Sequence, residues 1–460
     1  MGFNMSVKLN TRYEDTIASI ATSVSNNAIS IIRVSGTNSL EIVSKIFSKN
    51  LKKVKSHTIN YGYILENNNI VDEVLVSVFL SPKSFTCEDV VEINCHGGIF
   101  VTNKVLEMLL ENGARLASPG EFTKRAFING RIDLTQAEAI MDMIEANTNN
   151  SLKLASYGLT GQTKKLISKV REKVLEIMLK VEVNIDYPEY EDEEQMTEDV
   201  LVPSIKNILQ EMDEVIMKSE VSQVIKNGIK TAIIGKPNVG KSSLLNSLLR
   251  EEKAIVTSIA GTTRDIVEGE VNIGGVVLKL IDTAGIRVTD DIVEQIGVEK
   301  SKKIINEAEL VILVLDNSEE LSLGDKELLE ITKDKNRIVV VNKKDLDTKI
   351  DYNSLGEYVL ISAYNEEDID LLQKKIKDIC NLKDLNNIDG TYIGNARQIA
   401  KLKDARNALN EALNSLINGY PVDIANIDIN IAWTSLGEIM GEVSGDDMLD
   451  ELFSRFCLGK

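Results

Sequence analysis

Gly235-Lys236-Pro237-Asn238-Val239-Gly240-Lys241-Ser242 has the residue types and spacing needed to cradle a triphosphate. Two glycines allow backbone turns that aim successive amides at phosphate oxygens. Lys241 is spaced to reach the β- and γ-phosphates, Ser242 to give its hydroxyl to Mg²⁺, and the helix opening at Ser243 to turn its positive end toward the anion. Three further stretches follow in the order a guanine-nucleotide site requires. Asp282-Thr283-Ala284-Gly285 supplies a carboxylate that reaches Mg²⁺ through water and a glycine amide for the γ-phosphate. Asn342-Lys343-Lys344-Asp345 supplies, in Asp345, an acceptor pair for guanine N1–H and its amino group, donors that adenine does not present together. Ser362-Ala363, followed by Tyr364, brings a backbone amide to the guanine carbonyl.

These stretches need elements to hold them. Apolar runs at Ile229–Ile234, Val276–Ile281, Ile338–Val341 and Tyr358–Ile361 each read as a buried parallel strand ending at one of the motifs, the end at which such sheets bind ligands. Asn272-Ile273-Gly274-Gly275 reads as a hairpin turn. The expectation is an α/β P-loop GTPase domain of Ras-like type over residues 228–382.

The rest of the chain divides by its periodicity. Residues 1–130 mix helices with strand-like runs at Ala28–Val34, Val74–Leu80 and Val90–Asn94, an α+β pattern. From Thr135 the period becomes helical. Thr135-Gln136-Ala137-Glu138 has the spacing of a capping box, and Ala137, Ile140, Met141 and Ile144 share one helix face. Leu166, Val170, Val174, Ile177, Met178 and Val181 form a second apolar face, and Val202 to about Gln223 a third helical stretch. Between them seven of the thirteen residues from Tyr187 to Asp199 are acidic, which reads as a solvated loop. Helical pattern returns after the GTPase stretch, with Ala405, Leu409, Ala412, Leu413 and Leu416 in phase. Neither helical stretch is expected to bury its face alone. The economical arrangement is one discontinuous all-α domain, 131–227 plus 383–460, with the GTPase domain inserted.

At 460 residues, with 43% hydrophobic content, the chain suits a multidomain protein. It has no apolar run long enough to span a bilayer and no secretory pattern. Cys87, Cys95, Cys380 and Cys457 lack metal spacing, and His57 and His96 are the only histidines, which fits a reduced cytoplasmic protein. A net charge of −19 argues against non-specific nucleic-acid affinity, so an RNA substrate would need a local basic patch or a basic partner.

At Gly261-Thr262-Thr263-Arg264-Asp265 the chain resembles the bacterial tRNA-modification GTPases of the MnmE (TrmE) family. The likeness extends through Asp15-Thr16-Ile17-Ala18, Ile32–Gly36, Phe85–Glu92, His96-Gly97-Gly98, Pro119–Thr123, Arg125-Ala126-Phe127, Asp133–Ala139 and Phe456–Lys460. It implies a switch threonine on Mg²⁺ at Thr263, within a nucleotide-contacting stretch that also includes Ser258 and Ala260. Ile286 stands where Ras-like enzymes carry a water-orienting Gln. In the family the missing charge is supplied by K⁺ as two G domains meet. The matching ligands here are the Asn238 side chain and backbone oxygens of Thr257, Ile259 and Thr262, with Glu294 positioning water. Arg264 and Arg287 are the alternative fingers, or simply exposed switch-loop cations.

The resemblance further implies an N-terminal domain that dimerises and binds a reduced folate, 5,10-methylenetetrahydrofolate, with 5-formyltetrahydrofolate as its analogue. The contacts fall on Arg33, Glu92, Arg131 and Lys460. Arg131 stands where family members often carry Lys, and Ser23–Ala28 replaces a Pro- and Gly-rich turn. On charge placement alone, Arg33 and Glu92 read as a structural ion pair or strand-edge charges. His96, beside two glycines, reads as structural. Cys457 is either a catalytic thiol near the one-carbon unit or a small buried apolar residue. The implied activity is GTP hydrolysis in a homodimer that works with an FAD-dependent partner, MnmG (GidA), as a heterotetramer. Together they add an aminomethyl or carboxymethylaminomethyl group to C5 of the wobble uridine (position 34) of tRNA. The alternative is a non-enzymatic GTP switch, such as a ribosome-assembly factor. The folate-type blocks and the terminal Cys457-Leu458-Gly459-Lys460 discriminate against it.

Overall fold

The computed structural model describes residues 14–186, 198–251, 267–273, 275–281, 304–380, 392–442, 446–457 and 459. The chain divides into two compact units, residues 1–141, 158–209 and 400–460 in one and residues 142–157 and 210–399 in the other.

The first unit contains a six-stranded sheet of β1 (Ile17–Ile20), β2 (Ile29–Ser35), β3 (Thr58–Glu66), β4 (Asn69–Phe79), β5 (Val90–His96) and β6 (Arg115–Leu116), in the order β3-β4-β5-β2-β1-β6. Helices α1 (Ser39–Ile46) and α2 (Ile99–Glu111) cover one face. The alternation of strand side chains decides what that face receives. In β2, Ile32 and Val34 go into the helix-covered core with Val76, Ile93, Val43 and Leu109, so Arg33 is left on the opposite face. The strand-like runs near Ile29, Val74 and Val90 form β2, β4 and β5. Strands β1, β3 and β6 have no counterpart in the periodicity reading.

Helix α3 (Glu121–Ile128) begins at Gly120, which has φ +68° and whose missing side chain admits the backbone of Phe453 and the side chain of Phe456. The C-terminal helix, Asp446–Ser454, therefore lies against α3, with Phe453 and Phe456 joining Ala126, Leu134 and Leu449 in one cluster. Helix α4 (Leu134–Glu145) is capped two residues earlier than its Thr135…Glu138 spacing suggests. Asp133 Oδ1 accepts the Gln136 amide at 3.0 Å, and Gln136 Oε1 accepts the Asp133 amide at 3.1 Å. The box is Asp133…Gln136, while Thr135 and Glu138 are buried inside the helix. Ile144 departs from the expected face and is exposed. Helix α5 runs Asn149–Leu159. Helix α6 (Gln162–Asp186) buries Val170, Val174, Ile177, Met178 and Val181, as its period requires, with Leu166 half-buried. Helix α7 (Glu198–Asn227) outruns the expected stretch at both ends; Pro203 falls inside it, in the second turn, where proline leaves one intrahelical N–H bond unmade. The acidic loop expected between α6 and α7 lies almost wholly outside the described residues.

The second unit is built on a sheet in the order β12-β11-β10-β7-β9-β8, made from β7 (Ile229–Ile234), β8 (Val267–Ile273), β9 (Val276–Ile281), β10 (Leu310–Asp316), β11 (Arg337–Asn342) and β12 (Tyr358–Leu360). All neighbours pair parallel except the β8–β9 hairpin at one edge. Gly275 donates its amide to Asn272 Oδ1 at 3.0 Å to turn that hairpin. Strand β10 is buried throughout its length. Ile312 and Val314 pack into a core on one sheet face, Val311 and Leu313 into a core on the other, the arrangement that favours a parallel sheet. Helices α8 (Lys241–Glu251), α9 (Leu323–Ile331) and α10 (Glu366–Ile379) follow strands β7, β10 and β12. Helices α11 (Ala396–Ile417), α12 (Val422–Met440) and α13 (Asp446–Ser454) complete the chain, and Ala405, Leu409, Ala412, Leu413 and Leu416 of α11 are buried.

Candidate functional site

In the second unit, β7 has β9 on one side and β10 on the other, so the chain reverses its direction of travel across the sheet at β7. Crevices at such switch points, outside the carboxyl ends of the strands, take ligands. The Gly235–Ser242 loop leaves β7 at this place. Gly235 (φ +148°) lets the loop pass the Val314 carbonyl of β10, and Gly240 (φ +96°) passes the Asn342 carboxamide; a side chain at either position would collide. Asn238 also takes positive φ, +64°, an uncommon state that asparagine tolerates better than most residues. Helix α8 starts at Lys241, two residues earlier than the expected Ser243, so the last two residues of the loop already belong to its first turn, whose amides have no intrahelical partner. The Lys241 ammonium donates to the Gly235 carbonyl at 2.8 Å and to the Lys236 carbonyl at 2.5 Å, and burial lowers its pKa.

Asn342 ends β11 with its side chain buried, 2% exposed. Its Nδ2 donates to the Val239 carbonyl at 2.9 Å, and its Oδ1 accepts the Ala363 amide at 3.0 Å. One carboxamide thus ties the phosphate loop to the Ser362-Ala363 turn. Lys343, at φ +64°, pairs with Asp316 at the end of β10, and Lys344 pairs with Asp368 at 2.7 Å. Burial raises the Asp316 and Asp368 pKa values, but their lysine partners and backbone or hydroxyl donors outweigh it and hold both below the ordinary carboxylate range. Asp345 and Tyr364 are exposed at the same end of the sheet. Of the sequence-predicted nucleotide residues, the structure brings together Asn238, Val239, Gly240, Lys241, Ser242, Ser243, Asn342, Lys343, Lys344, Asp345, Ser362, Ala363 and Tyr364. Thr257, Ser258, Ile259, Ala260, Gly261, Thr262, Thr263, Arg264, Asp282, Thr283, Ala284, Gly285, Arg287 and Glu294 lie outside the described residues. Asp316 and Asp368 were missed by motif reading: each acts on a motif lysine from a different element, and no local spacing marks it.

A second constellation stands in the first unit. Arg33 and Glu92 are cross-strand partners in the β2–β5 register. Arg33 Nε and Nη2 both lie 2.8 Å from Glu92 Oε1, so the ion-pair reading of these residues holds. Arg33 Nη1 donates to the Gly459 carbonyl at 3.1 Å, which brings the chain end to the sheet. The fit depends on Gly459, at φ +85°, because a side chain there would strike the Ile20 carbonyl. Arg131 Nη1 donates to the Phe85 carbonyl at 2.9 Å, and its guanidinium lies 4.9 Å from the Phe85 ring centre. The Arg33 guanidinium is 5.6 Å from that ring and 5.7 Å from Phe122. Phe85 therefore stands against both arginines, a role that no charge pattern could have announced. Cys457 is exposed, which removes the buried-residue reading, and its carbonyl accepts the Gly120 amide at 3.3 Å. Lys460 lies outside the described residues. His96 pairs through Nδ1 with the buried Asp72 at 2.6 Å, as a structural residue should.

Other acidic and basic residues of the N-terminal blocks serve the fold. Arg125 is fully buried; it pairs with Asp15 at 2.7 Å, Glu121 at 3.0 Å and Glu88 at 3.3 Å, while Arg115 pairs with Asp15 and Glu121 at 2.7 and 2.6 Å. Burial raises the pKa of Asp15 and Glu121, but the two arginines outweigh it and hold both carboxyls low. Among the described residues no group of His, Cys, Asp and Glu is arranged to hold a metal ion, and no helix is long and apolar enough to cross a membrane.

Comparison with known proteins matches a model of the GTP-binding protein TrmE N-terminus to residues 16–131 and a model of the MnmE helical domain to residues 134–457. The chain is 52% identical over 448 residues to the tRNA modification GTPase MnmE of Lactococcus lactis subsp. cremoris (strain MG1363), covering 97% of this chain and 98% of that protein. It is 51% identical over 455 residues to the protein of that name from Streptococcus agalactiae serotype III (strain NEM316), covering 98% and 99%. To that of Acholeplasma laidlawii (strain PG-8A) it is 52% identical over 447 residues, covering 97% and 99%.

Proposed function

This chain belongs to the MnmE family of tRNA modification GTPases, and from that premise we propose that it spends GTP to drive a folate-dependent modification at C5 of wobble uridine 34. The observation that carries the folate part is the meeting of Arg33 with Glu92 on one side and Gly459 on the other. A reduced folate presents pterin N–H donors at one end and carboxylates at the other. Glu92, held in place by Arg33, accepts the former, and Arg131 and Lys460 receive the latter. Cys457, exposed two residues before Gly459, is the thiol nearest in sequence to this site and acts on the one-carbon unit.

In the G domain, residues 228–382, Asn238 to Ser243 bind the phosphates, Asp282–Gly285 sense the γ-phosphate, and Asp345 with Ser362 to Tyr364 selects guanine. Ser242 and Thr263 hold Mg²⁺. The residues in place fit that ion: Ser242, the second residue of helix α8, brings its hydroxyl beside the half-buried Lys241, a hard-oxygen donor next to the phosphate cradle. K⁺ is held by Asn238, Thr257, Ile259 and Thr262, and when bound it supplies the positive charge that an arginine finger supplies elsewhere. The exposed side chain and positive φ of Asn238 fit this use, since the residue stands clear of the loop's packing. Glu294 orients the attacking water. Hydrolysis opens and closes the paired G domains of a homodimer rather than making a bond at uridine. The protein acts in the cytoplasm with tRNA and an FAD-dependent MnmG partner. That partner offers a way for a chain of net charge −19 to engage RNA. We assign the N-terminal domain to residues 1–130 and the two parts of the helical domain to residues 131–227 and 383–460.

The test is mass spectrometry of tRNA nucleosides from bacteria lacking their own MnmE, with and without this gene and its cognate FAD partner. Reappearance of the C5-modified wobble uridine is the expected result. Its absence with the cognate partner present, from a protein that folds and hydrolyses GTP, overturns the modification reading.

A further inference from the structure

Lys344 and Ser362 lie on two different loops, and one carboxylate joins them. Asp368, in the first turn of α10, is buried at 8% side-chain exposure. Its Oδ1 lies 2.7 Å from Lys344 Nζ, and its Oδ2 accepts the Ser362 amide at 2.9 Å. Each oxygen is thus used once, by a different loop. The Lys344 amide donates to the Ile361 carbonyl at 3.0 Å, so the side chain and the backbone of Lys344 are both anchored beside Ser362. Asn365, the cap of α10, fixes the helix start by accepting the Glu367 and Asp368 amides at 2.9 and 3.3 Å.

An exposed lysine–aspartate pair is ordinarily worth little. This one differs because its carboxylate is buried and also holds a backbone amide, so losing the lysine leaves a charge in a poorly solvated place. We infer that Asp368 is a positioning residue for guanine recognition: it locks Lys344 and Ser362 together, and so sets where the next residue, Asp345, presents its carboxylate. The inference rests on the reading of Asp345 as the guanine acceptor. Asn342 joins the same two loops at their phosphate end, and Asp368 joins them at their base end. The two clamps together leave the loops little freedom to spread when a purine enters.

The experiment is a double-mutant cycle on the full chain with Asp368→Asn, Lys344→Met and the combined variant, plus Lys344→Arg as the conservative control. Affinity is read with fluorescently labelled GDP and with labelled IDP, which lacks the 2-amino group; hydrolysis is read at saturating GTP, and unfolding without nucleotide. Asp368→Asn and Lys344→Met should each weaken GDP binding roughly tenfold, and the double variant no further than either, because the two side chains form one interaction. GDP should lose more affinity than IDP, the rate of Asp368→Asn at saturation should stand, and the affinity of Lys344→Arg should stay near wild type. Additive losses, equal losses for GDP and IDP, or unchanged affinity in the single variants would overturn the inference. Wild-type protein that fails to prefer GDP over IDP overturns the guanine-site reading beneath it, a result distinct from the other three.

Discussion

Arg33 and Glu92 face one another across β2 and β5, and the arginine's remaining nitrogen holds the carbonyl of Gly459, 426 positions away in the chain. The pair is both a strand–strand ion pair and the base of the proposed folate site. Those two roles separate in a variant. Glu92→Gln keeps the shape and loses the charge; with both side chains about one-fifth exposed, it should cost roughly 1 kcal/mol of stability. It should weaken binding of 5-formyltetrahydrofolate at least about tenfold, since a charge-assisted hydrogen bond is replaced by a neutral one. Calorimetric titration checks this, and wild-type affinity in the variant removes Glu92 from the site.

Potassium is the second point. An isoleucine at 286 cannot orient water. If K⁺ supplies the missing charge, GTP hydrolysis in K⁺ should exceed that in Na⁺ by at least about tenfold, well inside the range an arginine finger gives. Initial rates in matched chloride salts decide it; equal rates end the potassium claim.

Asn342 links Val239 to Ala363 through a buried carboxamide. Asn342→Ala strands a backbone carbonyl and a backbone amide in a dry place, at about 1–3 kcal/mol for each unsatisfied group. Nucleotide affinity should fall roughly a hundredfold by the same reasoning, measured with labelled GDP. A variant that binds within twofold of wild type would show that the two loops hold their positions unaided.

The Asp15–Glu121–Arg125 cluster predicts an acid limb of instability. Its carboxyls sit below their ordinary values in the folded protein, so their stabilisation is complete above about pH 4 and is lost as pH falls through the lowered folded values. His96 works in the other direction. Its hydrogen bond to Asp72 raises its pKa, so its contribution is complete below about pH 6.5 and is lost as pH rises through the raised value. Calorimetric unfolding from pH 3 to 8 should show a steep acid limb that flattens in Glu121→Gln. Arg125→Met, which leaves buried carboxylates without their cation, should cost about 3–5 kcal/mol at neutral pH. An unchanged acid limb in Glu121→Gln would place acid sensitivity elsewhere.

Cys457→Ser should keep folding and GTP hydrolysis and lose tRNA modification. The side chain is exposed, so no packing argument predicts a stability change. Nucleoside analysis after complementation with the variant gives the answer. Full modification would take the thiol out of the chemistry.

The nucleotide loops were legible in sequence because their chemistry is local. Gly235 and Gly240 need only four residues between them, and the strands at Ile229 and Ile338 show themselves as short apolar runs. The helical faces of α6 and α11 were legible for the same reason, since burial repeats every turn. Local pattern failed where two solutions fit the same residues. Thr135…Glu138 and Asp133…Gln136 both offer a capping box, and packing chose the second by burying Thr135 and Glu138. Pattern was silent where partners are distant. Arg33 and Arg125 are both arginines in family-like blocks. Only the fold puts Arg33 at an open sheet face near the chain end, and Arg125 in a dry pocket among carboxylates. Asp368 and Phe85 likewise acquire their roles from neighbours on other elements. Sequence alone thus determined most of the strands and helices with a strong apolar run or period, and which loops carry phosphate and base chemistry, because backbone propensity and amphipathic period act over a few residues; β1, β3, β6 and β10 emerged only with the sheets they join. Which charges pair, which are buried and which remain at a site was decided by tertiary packing, because desolvation and pairing depend on groups brought together from positions far apart in the chain.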